Sequence, residues 1–203
     1  MSLRRPEGAW ALYLLAHGAG AGMRHPFLEA LSAALAAEGV ATLRYEFPYM
    51  EAGARRIDPK PMLHARVREA ARGALEQRLP LFAGGKSMGG RMTSEAQAQE
   101  PLAGVRGIAF LGFPLHPAGK PGTSRADHLN AVKLPMLFLQ GTRDELADLA
   151  LLRPVLAGLP QATLQVIEGA DHSFHVLKKS GRTGEEVLVE LARVFARWAR
   201  PLC

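Results

Sequence analysis

Six short apolar runs, each continuous rather than alternating, are interleaved along this chain with longer stretches of helical period. The runs are Ala9 to Ala16, Val40 to Phe47, Leu79 to Gly84, Arg106 to Leu111, Pro135 to Gln140 and Thr163 to Glu168. Each has the usual length of a strand. Unbroken apolarity calls for burial on both faces, which is the condition of a parallel sheet covered by helices on either side. The intervening segments fit that role. Pro26 to Glu38 sets Phe27, Leu28, Leu31 and Leu35 at helical spacing, and Gly39 supplies a stop. Further helices are predicted over Pro61 to Arg78, Met88 to Gln99, Glu145 to Leu159 and Gly184 to Ala199, with Pro154 kinking or splitting the fourth. The expectation is one α/β domain over residues 1–203, with about six mainly parallel strands. The two long loops, Pro48 to Lys60 and Gly112 to about Ser124, are too short to hold a cap domain.

Charge and cysteine content narrow the setting. The formal net charge is +6, but the basic residues are scattered, as in Arg66, Arg68, Arg72 and Arg78 on the polar side of one predicted helix. A solvated face explains them, and no nucleic-acid motif accompanies them, so no nucleic-acid partner is expected. Cys203 is the only cysteine, so no intrachain disulfide can form and a reducing, cytoplasmic location is expected. Arg4 and Arg5 before the apolar run faintly suggest a signal peptide, yet the run leads straight into His17-Gly18-Ala19-Gly20 and reads as a buried strand. Nothing approaches the ~20 apolar residues of a membrane span, so no membrane partner is expected.

The most informative segment is Leu81-Phe82-Ala83-Gly84-Gly85-Lys86-Ser87-Met88-Gly89-Gly90, where a strand runs into Gly-x-Ser-x-Gly and then a helix. A serine in such a turn projects its hydroxyl above the sheet, and glycines flank it because a β-carbon there would strike neighbouring backbone. The amide of Met88 then sits at a helix N-terminus, suited to hold an oxyanion. A hydroxyl needs a base, and the base needs an orienting acid, each just beyond a later strand. Asp144 follows one such strand through Gly141-Thr142-Arg143, and His172 follows another through Gly169-Ala170-Asp171. In a parallel sheet all strand carboxyl ends share one edge, so the three can converge. The glycine-rich His17-Gly18-Ala19-Gly20-Ala21-Gly22 supplies a second oxyanion donor, with Ala19 preferred over Gly20 and His17 expected to hold the loop.

Other readings compete at each position. Asp144 could cap a helix starting at Glu145, leaving Asp148 or Glu145 as the acid, and His175 rivals His172. Gly85-Lys86-Ser87 resembles the end of a phosphate-binding loop, but Pro80 stands where its first glycine belongs. Asp171, His172 and His175 have no clear further ligand for a metal, and no metal or cofactor is expected. The strand-end residues Arg44, Tyr49 and His116 are candidate substrate contacts, and Lys86 could hold an acidic group.

Taken with Leu43-Arg44-Tyr45-Glu46-Phe47-Pro48-Tyr49, Phe113-Pro114-Leu115-His116-Pro117 and Asp171-His172-Ser173, these motifs resemble the small, capless α/β-hydrolases of the Tex30/KANSL3-like group, related to dienelactone hydrolases. The likeness runs from about Leu14 to His175. It implies an α/β-hydrolase fold with a triad at Ser87, Asp144 and His172. The nucleophile of dienelactone hydrolases proper is a cysteine, so the serine here marks a departure. The expected chemistry is cleavage of a small-molecule carboxylic ester or related acyl substrate through a covalent acyl-enzyme. The alternative is a silent scaffold that keeps the fold.

Overall fold

The computed structural model describes residues 1–203. Its strands are β1 (Ser2–Arg4), β2 (Ala11–Ala16), β3 (Val40–Tyr45), β4 (Leu81–Lys86), β5 (Val105–Leu111), β6 (Met136–Gly141) and β7 (Ala162–Ile167). They form one sheet in the order β1-β3-β2-β4-β5-β6-β7. All pairs are parallel except β1 with β3, where Ser2 lies opposite Arg44 and Arg4 opposite Thr42. The expected six strands are therefore seven. β1 escapes the apolar-run criterion because it is a three-residue edge strand, largely exposed, with nothing to bury on either face.

The helices are α1 (Pro26–Ala37), α2 (Pro48–Glu51), α3 (Lys60–Ala74), α4 (Met88–Gln99), α5 (Leu149–Ala157) and α6 (Gly184–Ala199). Successive strand residues point to opposite faces, and β2 shows the result. Ala11, Tyr13 and Leu15 pack with Leu28, Leu31 and Leu35 of α1 and Val187, Leu191 and Phe195 of α6. Leu12, Leu14 and Ala16 pack with Leu63 and Val67 of α3, Met92 and Ala96 of α4, and Leu152 and Leu156 of α5. This two-sided burial is what the unbroken apolar runs required. No helix is long and apolar enough to cross a membrane.

Several boundaries differ from expectation. α5 begins at Leu149, because Asp148 rather than Asp144 accepts the capping bond, from the Ala150 amide at 2.8 Å; Pro154 lies within this helix without splitting it. α3 ends at Ala74, followed by a 3₁₀ turn, Leu75–Gln77, and a left-handed Arg78. The loop after β3 holds the single turn of α2, and the loop after β5 ends in 3₁₀ structure over Ser124–Ala131.

Connections from β2 run first to β3 on one side and then back across to β4 on the other. The reversal leaves a crevice above the carboxyl ends of β2 and β4, where open α/β sheets bind ligands. The glycine loop after β2 and Ser87 after β4 both open into it.

Candidate active site

Ser87 occupies the single residue between β4 and α4, with φ 50° and ψ −117°. A non-glycine residue at positive φ is held there only when its surroundings dictate it. Its amide donates to the Leu111 carbonyl at 3.1 Å. The chain also passes too close to its neighbours for side chains on either flank. A β-carbon on Gly85 would lie 2.3 Å from the Ala16 carbonyl oxygen, and one on Gly89 would lie 2.4 Å from that of His17. The glycines of the Gly-x-Ser-x-Gly segment are thus required by the close approach of β2 and its loop.

Two further loops meet Ser87. His172 Nε2 lies 2.9 Å from Ser87 Oγ, and its Nδ1 lies 2.8 Å from Asp144 Oδ2. The ionised Asp144 can only accept, so the neutral ring carries its proton on Nδ1 and leaves Nε2 free to accept from the serine hydroxyl. The Asp144 side chain is fully buried. Its Oδ1 accepts from the Leu146 amide at 2.8 Å, and Oδ2 also accepts from the Gln140 side-chain amide. Gln140 is itself fixed, accepting from the Phe113 amide at 2.9 Å. The rival residues have other work: Asp148 caps α5, while Asp171 Oδ1 accepts from the amides of Ser173 and His175 and braces the loop that presents His172. His175 is a largely exposed side chain.

The amides of Ala19 and Met88 donate to no protein acceptor. Met88 opens α4, so its N–H has no intrahelical partner. The loop carrying Ala19 lies beside the serine, since a β-carbon on Gly18 would sit 3.7 Å from Ser87 Cβ. His17 anchors that loop from beneath. Its Nδ1–H donates to the Gly18 carbonyl at 2.7 Å, and its Nε2 accepts from the Phe47 amide at 3.1 Å. Burial pushes its pKa down, against the Gly18 bond and the Glu46 charge. With Nε2 already an acceptor in a neutral ring, its 3.2 Å approach to Glu46 Oε2 is no ion pair.

A cleft of about 430 Å³ opens over these groups, with Ala19, Ala21, Phe27, Leu28 and Leu146 among its walls. Phe27 stacks on Phe174 with ring centroids 5.7 Å apart. A larger concavity, of about 720 Å³, runs along the charged outer face of α6 and contains none of the groups above.

The three candidate substrate contacts do not line this cleft. Arg44 is buried, with Nη1 paired to Glu29 at 2.6 Å and donating to the Met23 carbonyl, and Nη2 donating to Ser2. Tyr49 is buried, its hydroxyl accepting from the Gly20 amide at 3.1 Å. His116 accepts from the Asp148 amide at 3.1 Å and donates to the Pro117 carbonyl at 2.9 Å, tying the loop after β5 to the start of α5. These side chains brace loops, and the structure brings none of the three to the cleft over Ser87.

Lys86 is different. Its Nζ is buried without a hydrogen-bond partner and lies 5.7 Å from the centre of the Phe174 ring. Burial lowers its pKa to about 8, against the opposing pull of Asp144 and Asp171. Gly112, at φ +70°, explains how these groups share so small a space. A β-carbon there would lie 3.2 Å from Lys86 Nζ, 3.3 Å from His172 Nδ1 and 3.4 Å from Asp144 Oδ2. Sequence reasoning missed Gln140 and Gly112. The only signals were a polar side chain closing an apolar strand and a glycine directly after another.

A family model described as "Alpha/beta hydrolase domain" matches residues 9–200. Among solved structures, a dienelactone hydrolase from Anabaena variabilis is 24% identical with a TM-score of 0.72, over 98% of this chain and 89% of that one. An alpha-beta serine hydrolase homologue from Coxiella burnetii is 19% identical with a TM-score of 0.74, over 96% and 88%. A serine hydrolase without lid from Xanthomonas campestris is 22% identical with a TM-score of 0.72, over 98% and 87%. These likenesses concern the fold, which here also lacks a separate cap. The sheet order, the turn at Ser87 and the match over residues 9–200 together establish that the chain belongs to the α/β-hydrolase family.

Proposed function

We propose that this hydrolase cleaves a small carboxylic ester or related acyl substrate, with Ser87 as nucleophile, His172 as general base and Asp144 as the acid that orients it. The observation that carries the reading is the unbroken hydrogen-bond chain from Ser87 through His172 to a fully buried Asp144. His172 Nε2 takes the hydroxyl proton as Ser87 Oγ attacks the carbonyl carbon. The amides of Ala19 and Met88 receive the charge that develops on the carbonyl oxygen. The imidazolium then gives its proton to the leaving group, and the acyl-enzyme remains. Water, deprotonated by the same nitrogen, attacks the acyl carbon and releases the acid, restoring Ser87. Every proton moves through His172, so the mechanism calls on no cofactor.

The mainly apolar walls of the cleft suit a short acyl or aryl group. The finer kinship with the Tex30/KANSL3-like group rests on the motif residues, and a cytoplasmic location rests on the lone Cys203; both belong to this proposal. The test is hydrolysis of p-nitrophenyl esters of graded acyl length. Turnover by the wild-type chain and a loss of about 10⁴-fold or more in Ser87→Ala are expected. Equal rates in the two proteins would refute the assignment.

A further inference from the structure

A separate concavity, of about 510 Å³, opens between α3, α4 and the 3₁₀ segment Ser124–Ala131, and it shares no lining residue with the acyl cleft. Histidines aside, its charged side chains are three cations, Lys60, Arg91 and Arg125, against the carboxylates of Glu95 and Asp127. Glu95 is already engaged, meeting Lys60 at 3.0 Å, His64 at 3.1 Å and Arg91 at 2.9 Å. Burial alone would raise its carboxyl pKa, yet bonds from His64 and Lys60 and the Arg91 charge hold it down at about 2. It has little capacity left for Arg125.

The guanidiniums are correspondingly under-used. Arg91 Nε is buried with no partner. The one bond formed by the Arg125 side chain is a long one, 3.5 Å from Nη1 to the Pro114 carbonyl. Both arginines line this one cavity. Two guanidiniums on one polar cavity, each with donors that the protein leaves unused, suit a bridging oxyanion, whose geometry the planar fork matches.

We propose that this cavity binds a small phosphorylated molecule, its phosphoryl group held between Arg91 and Arg125 with the exposed Lys60 ammonium alongside. The cavity is larger than a phosphate alone requires, leaving room for the group that carries it. Arg91 stands on the first turn of α4, where its amide donates to the Ser87 carbonyl at 3.2 Å, so an occupant would grip the helix that leaves the serine.

The test is calorimetric titration of the full chain with inorganic phosphate, sodium acetate and sodium chloride at equal ionic strength, repeated with glycerol phosphate and a short oligothymidylate. Phosphate is expected to bind, with affinity falling about 10-fold in Arg125→Gln and in Arg91→Gln. Glu95→Gln, which removes the competing carboxylate, is expected to bind phosphate several-fold more tightly, a gain that damage to the fold would not produce. If Arg91→Gln does not fold, Arg125→Gln decides alone. Responses to acetate or chloride equal to that for phosphate would overturn the proposal. So would wild-type phosphate affinity in a folded Arg125→Gln, or an oligothymidylate that outcompetes glycerol phosphate. None of these readouts depends on ester hydrolysis, so this inference and the catalytic reading can fail separately.

Discussion

The carboxyl end of β3 and the carboxyl ends of β4, β6 and β7 lie on one rim of the sheet, and both regions carry side chains able to do chemistry. Their fates differ. Near β3, Arg44 and Tyr49 are bonded to Glu29, Met23, Ser2 and Gly20, and they serve to fix the glycine loop and the edge strand. Across the crevice, Ser87 and His172 bond to each other and still line an open cleft. The lesson is that a place on the rim is necessary for a role with substrate but insufficient. What separates a polar group able to meet a substrate from one that only braces the fold is whether any of it faces the crevice.

Substitutions test that contrast. Asp144→Asn keeps the shape of the buried acid but favours the wrong histidine tautomer, and it should lower kcat by about 10⁴-fold in a steady-state ester assay. A decrease of only a few-fold would mean that Asp144 is as structural as Arg44. Gly112→Ala puts a methyl group against Lys86, His172 and Asp144 and forces a left-handed alanine. It should lower kcat by about 10²-fold through displaced geometry, an effect visible when kcat is compared with the fraction folded.

Lys86 allows a test without substrate. Its pKa is lowered by burial from 10.5 to about 8, so between those values the unfolded chain holds a proton that the folded chain has released. The Lys86 contribution to stability therefore rises with pH through this window, and its burial penalty is fully present below it. Lys86→Met should remove that rise. The difference between wild-type and variant unfolding free energies, followed by urea titration from pH 7 to 11, reads it directly. The smallest functional effect is expected at β3. Arg44→Met should cost about 1–2 kcal/mol of stability, modest because Glu29 is well exposed, while kcat/KM shifts by less than about 2-fold.

The sequence exposed those parts of the molecule whose physics is local. The six apolar runs announced six of seven strands because two-sided burial leaves no room for alternation. The loops bearing Ser87, Asp144 and His172 could be placed on one rim because each follows a strand of a parallel sheet, and the structure joins their side chains in one hydrogen-bond chain. β1 was invisible, since Ser2–Arg4 pairs with β3 but buries no side-chain face. Asp148 displaced the expected start of α5 because either aspartate could have capped it, and only the fold decides that Asp144 turns inward. The surroundings of Arg44, Tyr49 and His116 were hidden for a similar reason. Whether a polar side chain is free depends on partners such as Glu29, Gly20 and Asp148, and no spacing rule names them. The cavity beside Arg91 and Arg125 was equally hidden, assembled from three segments with no shared motif.

A residue 87 that bears an activated hydroxyl facing an accessible cleft should react with a phosphonylating reagent. Incubation of the folded protein with a fluorophosphonate, followed by intact-mass measurement and peptide mapping, tests this most directly. One adduct per chain on Ser87, absent from Ser87→Ala and strongly slowed in Asp144→Asn, is the predicted result. A folded chain that takes up no label, or takes it up elsewhere, would mean that Ser87 is not an activated nucleophile.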